Sequence, residues 1–131
     1  MYYNGDVLFA VSDVEDIIVN FENEILPTKV VKKGDVIALG KRAPKNRWMY
    51  QKTFDNEKEY ILKLTEFVER LYEKKEYVKQ LKERYHDVSI SIYIRSDYGQ
   101  LGYSLPNSII KKMGEIGCDV YFDILSFGQV L

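Results

Sequence analysis

His86, Cys118, Asp119 and Asp123 are the residues whose types and spacing could do chemistry. A thiol nucleophile needs a base within reach, and His86 is the only histidine in the chain, so Cys118 has one candidate partner. Asp119 and Asp123 fall at alternate positions of an apolar segment. Two carboxylates on one strand face can work as acid and base or hold a hard cation. Each of these readings has a simpler rival. A lone histidine after a helix end is ordinarily a capping or surface residue, and a cysteine before an apolar strand behaves as a small hydrophobe. The aspartates fit a solvated outer face, with Val120, Phe122 and Ile124 turned inward. One histidine and one cysteine fall short of the four ligands of a structural zinc site. Gly99-Gln100-Leu101-Gly102 lacks a third glycine and precedes a strand-like stretch, so the dinucleotide fingerprint fails. The expectation is therefore a protein that is not an enzyme, with no catalytic residue, cofactor or metal.

The strongest signal is the distribution of charge. Residues 29–52 hold eight bases and the single acid Asp35, a local balance of +7, while the 28 residues before them hold six acids and no base. The whole chain nets only −1. Such segregation bears on partners and association rates rather than on fold. Lys32, Lys33, Arg42, Lys45 and Arg47 are the candidate partner-binding residues, and an acidic protein is the partner they suit. The competing explanation is internal: these cations neutralise the acidic N-terminal segment or simply face solvent. Bases beside Trp48 and Tyr50 are also the ingredients of a single-strand nucleic-acid site. A sequence pI near 5.9 argues against that use, and Trp48 is expected in the core, beneath a helix.

These residues must be positioned by a modest set of elements. At 131 residues, 46% apolar and 30% charged, the chain is expected to form one globular domain over residues 1–131. No apolar run approaches a membrane span, the N-terminal stretch does not read as a signal peptide, and one cysteine suits a reducing cytoplasm. Val7–Val11 is a buried-strand run. Ser12-Asp13-Val14-Glu15 matches a capping box, and Val14, Ile17, Ile18 and Phe21 give a helical stripe. Strands follow at Thr28–Lys33 and Arg47–Thr53, separated by a breaker-rich loop. Asn56 and Glu59 cap a helical stretch from Glu57 to about Arg84, with a break expected at Glu73-Lys74-Lys75-Glu76. Val88, Ile90, Ile92 and Ile94 alternate onto one face. Ser96–Gly99 reads as a hairpin turn, with Leu101, Tyr103 and Leu105 on a returning strand. A helix from Pro106 to Gly117, burying Ile109, Ile110, Met113 and Ile116, and a strand from Cys118 to Leu125 complete the chain. The expected class is α+β, in the order β-α-β-β-α(α)-β-β-α-β, a mostly antiparallel sheet with helices on one face.

With the elements in place, the chain resembles the bacterial family known only as domain of unknown function 4279. The matching landmarks are the opening apolar strand leading to a short helix, Leu26-Pro27-Thr28, the Lys32-Lys33-Gly34-Asp35 turn and Trp48 heading its strand. They continue through Leu64, Leu71 and Leu81 of the helical region to the closing Gly117–Asp123 segment. The resemblance implies a small cytoplasmic bacterial α+β domain and supplies no catalytic residue. The function expected is that of a non-enzymatic binding or regulatory protein, of the immunity type by analogy, docking a protein by its charged face. A nucleic-acid-binding accessory domain using residues 29–52 is the alternative, and a small enzyme ranks last. The sequence leaves the oligomeric state open.

Overall fold

The computed structural model describes residues 3–130; Met1, Tyr2 and Leu131, the ends of the expected domain, lie outside the described residues. The centre of the sheet is β1 (Asn4–Asp13), whose Val7, Phe9 and Val11 are fully buried on one face. Alternate side chains point to opposite faces of a strand, so Leu8, Ala10 and Ser12 occupy the other. β2 (Lys29–Val31) and β3 (Asn46–Phe54) lie on one side of β1, while β4 (Asp87–Tyr98) and β5 (Asp119–Gln129) lie on the other. The order is β2-β3-β1-β4-β5, antiparallel throughout except for the parallel pair β4–β5. Phe9 sits between Tyr50 and Ile90, and Val7 between Lys52 and Ile92. Three helices cover the buried face. The expected α+β class is the class observed.

α1 (Glu57–Glu73) starts as its sequence requires. The Asn56 side chain accepts from the Glu59 amide at 3.0 Å, and the Glu59 carboxylate accepts from the Asp55 amide at 2.7 Å, a reciprocal cap. Tyr60, Leu64, Phe67, Val68 and Leu71 form its buried stripe. The helix breaks at Lys74, whose φ and ψ are −110° and 21°, and α2 (Lys75–Arg84) continues. The break lies inside the charged patch where it was expected. α3 (Asn107–Ile116) follows Pro106 and ends at Gly117, whose φ of 78° is the left-handed helix stop that glycine adopts without strain.

Two expected elements are absent, and one side chain is misplaced. No helix spans Val14–Phe21. The capping box fails because Ser12 lies inside β1, buried, while Asp13 takes over: its carboxylate accepts the Glu15 amide at 3.0 Å and the His86 amide at 2.9 Å. The same residues also carry a period-two pattern, Ile17, Val19 and Phe21, and this is the set turned inward. Four of the eight residues are β-branched, which favours the extended choice. Tyr hydroxyls from α2 and its end complete it, taking the Ile18 amide at 2.8 Å (Tyr85) and the Asn20 amide at 2.8 Å (Tyr77). The second absence is the returning strand. β4 already has β1 on one edge and β5 on the other, so no edge is open to a hairpin partner. Leu101, Tyr103 and Leu105 instead lie irregularly against the core rim. Ile110, expected inside, is exposed on α3.

The aromatic layer carries one anomaly. Tyr50 stacks flat on Phe67, ring centroids 5.3 Å apart, and its hydroxyl is buried with no partner among the described residues. An unmet buried hydroxyl costs on the order of 1–3 kcal/mol. Tyr50→Phe keeps the stack and deletes the cost, so it is expected to raise stability by about 1 kcal/mol in urea unfolding. A loss of stability would mean that the hydroxyl is satisfied.

Asp13 offers a pH test of the loop it anchors. The Glu15 and His86 amides hold its carboxyl below the ordinary carboxylate range. A carboxyl depressed in the folded state stabilises while ionised, above the unfolded value near 3.8, and that contribution fades as pH falls through the lower folded value. Asp13→Ala is therefore expected to destabilise at pH 6 and to differ less from the wild type at pH 3. Equal differences at both pH values would show that the anchor is not electrostatic.

Candidate cationic interface

Residues 32–46 form an arm that extends the β2–β3 hairpin beyond the sheet. Amide–carbonyl pairs close it: Gly34 to Ala43 at 2.9 Å, Ala43 to Asp35 at 2.7 Å and Ile37 to Lys41 at 2.6 Å, with a bridge between Val36 and Arg42. The tip is a single 3-10 turn, Ala38–Gly40. Asp35, the one acid of the basic stretch, is occupied within the arm. Its carboxylate accepts the Lys32 amide at 2.8 Å and fixes the turn that Gly34 completes at φ 92°. Arg42 donates to the Gly34 carbonyl at 2.9 Å, which holds its guanidinium along the arm. Asn46 ties the base down, accepting from the Lys33 amide at 2.8 Å and donating to the Glu15 carbonyl at 2.9 Å.

Lys32, Lys33, Arg42 and Lys45 belong to this arm, Arg47 follows it in β3 beside Val31 and Ser12, and the five do not share one face. Lys45 and Arg47 line a cleft of about 440 Å³ on the helix-free side of the sheet, with Lys29, Ser12, Asp87 and the apolar Ile37 and Met49. Lys32 lines a separate depression with Asp16, Ile17 and Val30. Lys33 and Arg42 are exposed on the arm itself. Among the described residues none of the five forms a salt bridge. The acidic segment 1–28 does not neutralise them through ion pairs: Glu24 bridges Lys74 on the helical side at 2.8 Å, and Asp13 is committed to backbone amides. Of the basic stretch, Lys52 is paired, with Glu66 at 3.0 Å.

Sequence reasoning missed two parts of this surface. Lys29 and Ser12 complete the cleft because residues two apart on a strand share a face, and Lys29 pairs with Met49 beside Val31–Arg47. The other is the apolar tip. Leu39 is 97% exposed in the left-handed region at φ 58°, with Val36 and Ile37 exposed beside it. A leucine held there costs roughly 1–2 kcal/mol. Three apolar residues inside a breaker-rich, cation-rich loop were the available signal.

The chemical candidates are dispersed. The His86 amide is bound to Asp13, and its side chain sits in an exposed position. Cys118 is half-buried against the core, and burial pushes its thiol up to about 11, the reverse of thiolate activation. Asp119 and Asp123 lie exposed on β5, on the helix-free face beside Ser89 and Tyr93. Trp48 is 6% exposed and packs on Phe9 and Phe21, centroids 6.2 and 5.6 Å away. It is the core residue expected and offers no stacking face. Among the described residues no three His, Cys, Asp or Glu side chains converge on a metal position, and no helix is long and apolar enough to cross a membrane.

Residues 19–127 match the sequence model of the domain of unknown function family DUF4279. The chain belongs to that family, which carries no assigned activity. No curated protein and no solved structure matched the chain.

Proposed function

We propose that the protein is a non-enzymatic binding or regulatory protein of the bacterial cytoplasm that docks an acidic protein partner through its cationic arm. Lys32, Lys33, Arg42, Lys45 and Arg47 supply the charge, and Leu39 with Val36 and Ile37 supplies the apolar contact at the tip. One observation carries the reading: four of these cations stand on the arm and Arg47 stands at its base in β3, all without ion-pair partners among the described residues. Charge around a small apolar patch is how a docking site combines steering with a desolvated centre. An immunity-type role fits the same anatomy by analogy alone. The nucleic-acid alternative lacks a supporting feature, because its stacking platform, Trp48, is in the core. The test is retention of a partner by the wild-type protein and its loss from Arg42→Glu/Arg47→Glu, with both proteins equally folded.

A further inference from the structure

Among the described residues the far edge of β5 is unpaired: β5 is an edge strand of eleven residues, and β4 is its only neighbour in the sheet. Tyr121, Phe122, Ile124, Leu125 and Phe127 are 42–59% exposed. Natural edges are blunted by charged side chains, lysine above all, by proline, by bulges or by short length. The opposite edge of this sheet uses two of these devices, since β2 has three residues and begins at Lys29. β5 has no lysine, arginine or proline; its only such devices are Asp119 and Asp123, both on the helix-free face, and a bulge with Gly128 at φ 76° confined to its last residues.

We propose that β5 is a self-association edge, on which two copies of the protein pair their β5 strands antiparallel about a two-fold axis at Ile124. Full overlap of Asp119–Gln129 with itself centres on Ile124. Within the regular part of the strand that register sets Asp123 opposite Leu125, so the two Asp123 carboxylates do not face each other, while beyond Ser126 the bulge that shifts the β4–β5 register interrupts the pairing. A register shifted by one residue at each strand, centred on Asp123, would oppose the two Asp123 side chains, which is destabilising. The centred register also sets the apolar Leu125 beside Asp123 and directs Tyr121 toward the bulged end of the partner strand, where Phe127 is exposed. Ile124 meets Ile124, and Phe122 meets Ser126, on the face that carries Ile92 and Ile94 of β4. The product is one continuous sheet of two five-stranded halves, with the helices of both copies on the same side. Head-to-tail growth is blocked because a three-residue β2 cannot cover an eleven-residue β5. The contact is therefore isologous and closes at two copies.

The area agrees with a second copy as occupant. At roughly 200 Å² for a whole large side chain, the five exposed residues of two copies bring about 1,000 Å² of apolar surface to the axis. That is near the lower bound for a specific interface, so the pairing is a weak one.

Sedimentation velocity from about 1 to about 500 µM, concentrations that reach a weak pairing, tests the proposal. The wild-type protein is expected to shift from monomer to dimer, with no larger species. Leu125→Lys/Phe127→Lys, at two exposed positions, is expected to remain monomeric with an unchanged melting temperature. A second readout fixes the register. Facing Cα atoms in an antiparallel pair lie about 4.5–5.5 Å apart, within disulfide range, so Ile124→Cys in a Cys118→Ala background is expected to form a cross-linked dimer on oxidation. A wild-type monomer at about 500 µM overturns the proposal and leaves the edge to an extended segment of another protein or to none. A dimer that survives both lysines, or that does not cross-link at position 124, overturns it as well.

Discussion

Ile92→Ala is expected to cost about 2–5 kcal/mol, the range for emptying a buried branched site, and so to remove much of a small domain's stability. Ile92 is fully buried in β4, opposite Val7 on the central strand and in register with Phe122 on β5. Its neighbours on the strand, Ile90 and Ile94, are equally buried, and a packed wall of this kind relaxes only partially into the void. Ser91 on the same strand faces away from the helices, and Ser91→Ala is expected to change stability by less than about 0.5 kcal/mol. Chemical denaturation of the pair gives the contrast directly. A loss below about 1 kcal/mol for Ile92→Ala would contradict the packing described for β4.

Arg42→Glu/Arg47→Glu is expected to weaken partner binding by about 10- to 100-fold, because reversing two cations turns attraction into like-charge repulsion. Both residues are exposed and neither is in an ion pair within the described chain. Arg42 does donate to the Gly34 carbonyl, so some stiffness of the arm is lost with it. Unfolding stability should nonetheless stay within about 0.5 kcal/mol of the wild type, which separates a binding defect from a folding one. Leu39→Gly relieves the left-handed backbone and removes the apolar tip. It should weaken binding mainly through faster dissociation, since a central contact acts after encounter. Association and dissociation rates of the three proteins, measured side by side, distinguish charge from contact.

Elements with one dominant local pattern were legible in the sequence. The strict alternation of Val88, Ile90, Ile92 and Ile94 specified β4, and the Asn56/Glu59 pair specified the start of α1. The conflict between a helical stripe and a charged patch located the break at Lys74. Failure came where two patterns coexisted. Val14–Phe21 satisfies a helical and an extended period at once, and tyrosines more than fifty residues away decide between them. The alternation of Leu101, Tyr103 and Leu105 was real, but a strand needs a free edge, and edge occupancy is a property of the whole sheet. The cationic cluster was legible as composition and not as geometry. Faces depend on pairing register, so the sequence did not reveal that Lys32 turns away from Lys45 and Arg47, or that Lys29 joins them.

The central claim is that the arm docks an acidic protein by charge, and the association rate of the retained partner as a function of ionic strength tests it most directly. Screening shortens from about 10 Å at 0.1 M salt to about 3 Å at 1 M, so a steered encounter must slow across that range. The expected result is a wild-type association rate that falls about tenfold or more while dissociation changes little, and an Arg42→Glu/Arg47→Glu rate that is already low and nearly flat. Association indifferent both to salt and to the reversal would contradict the account.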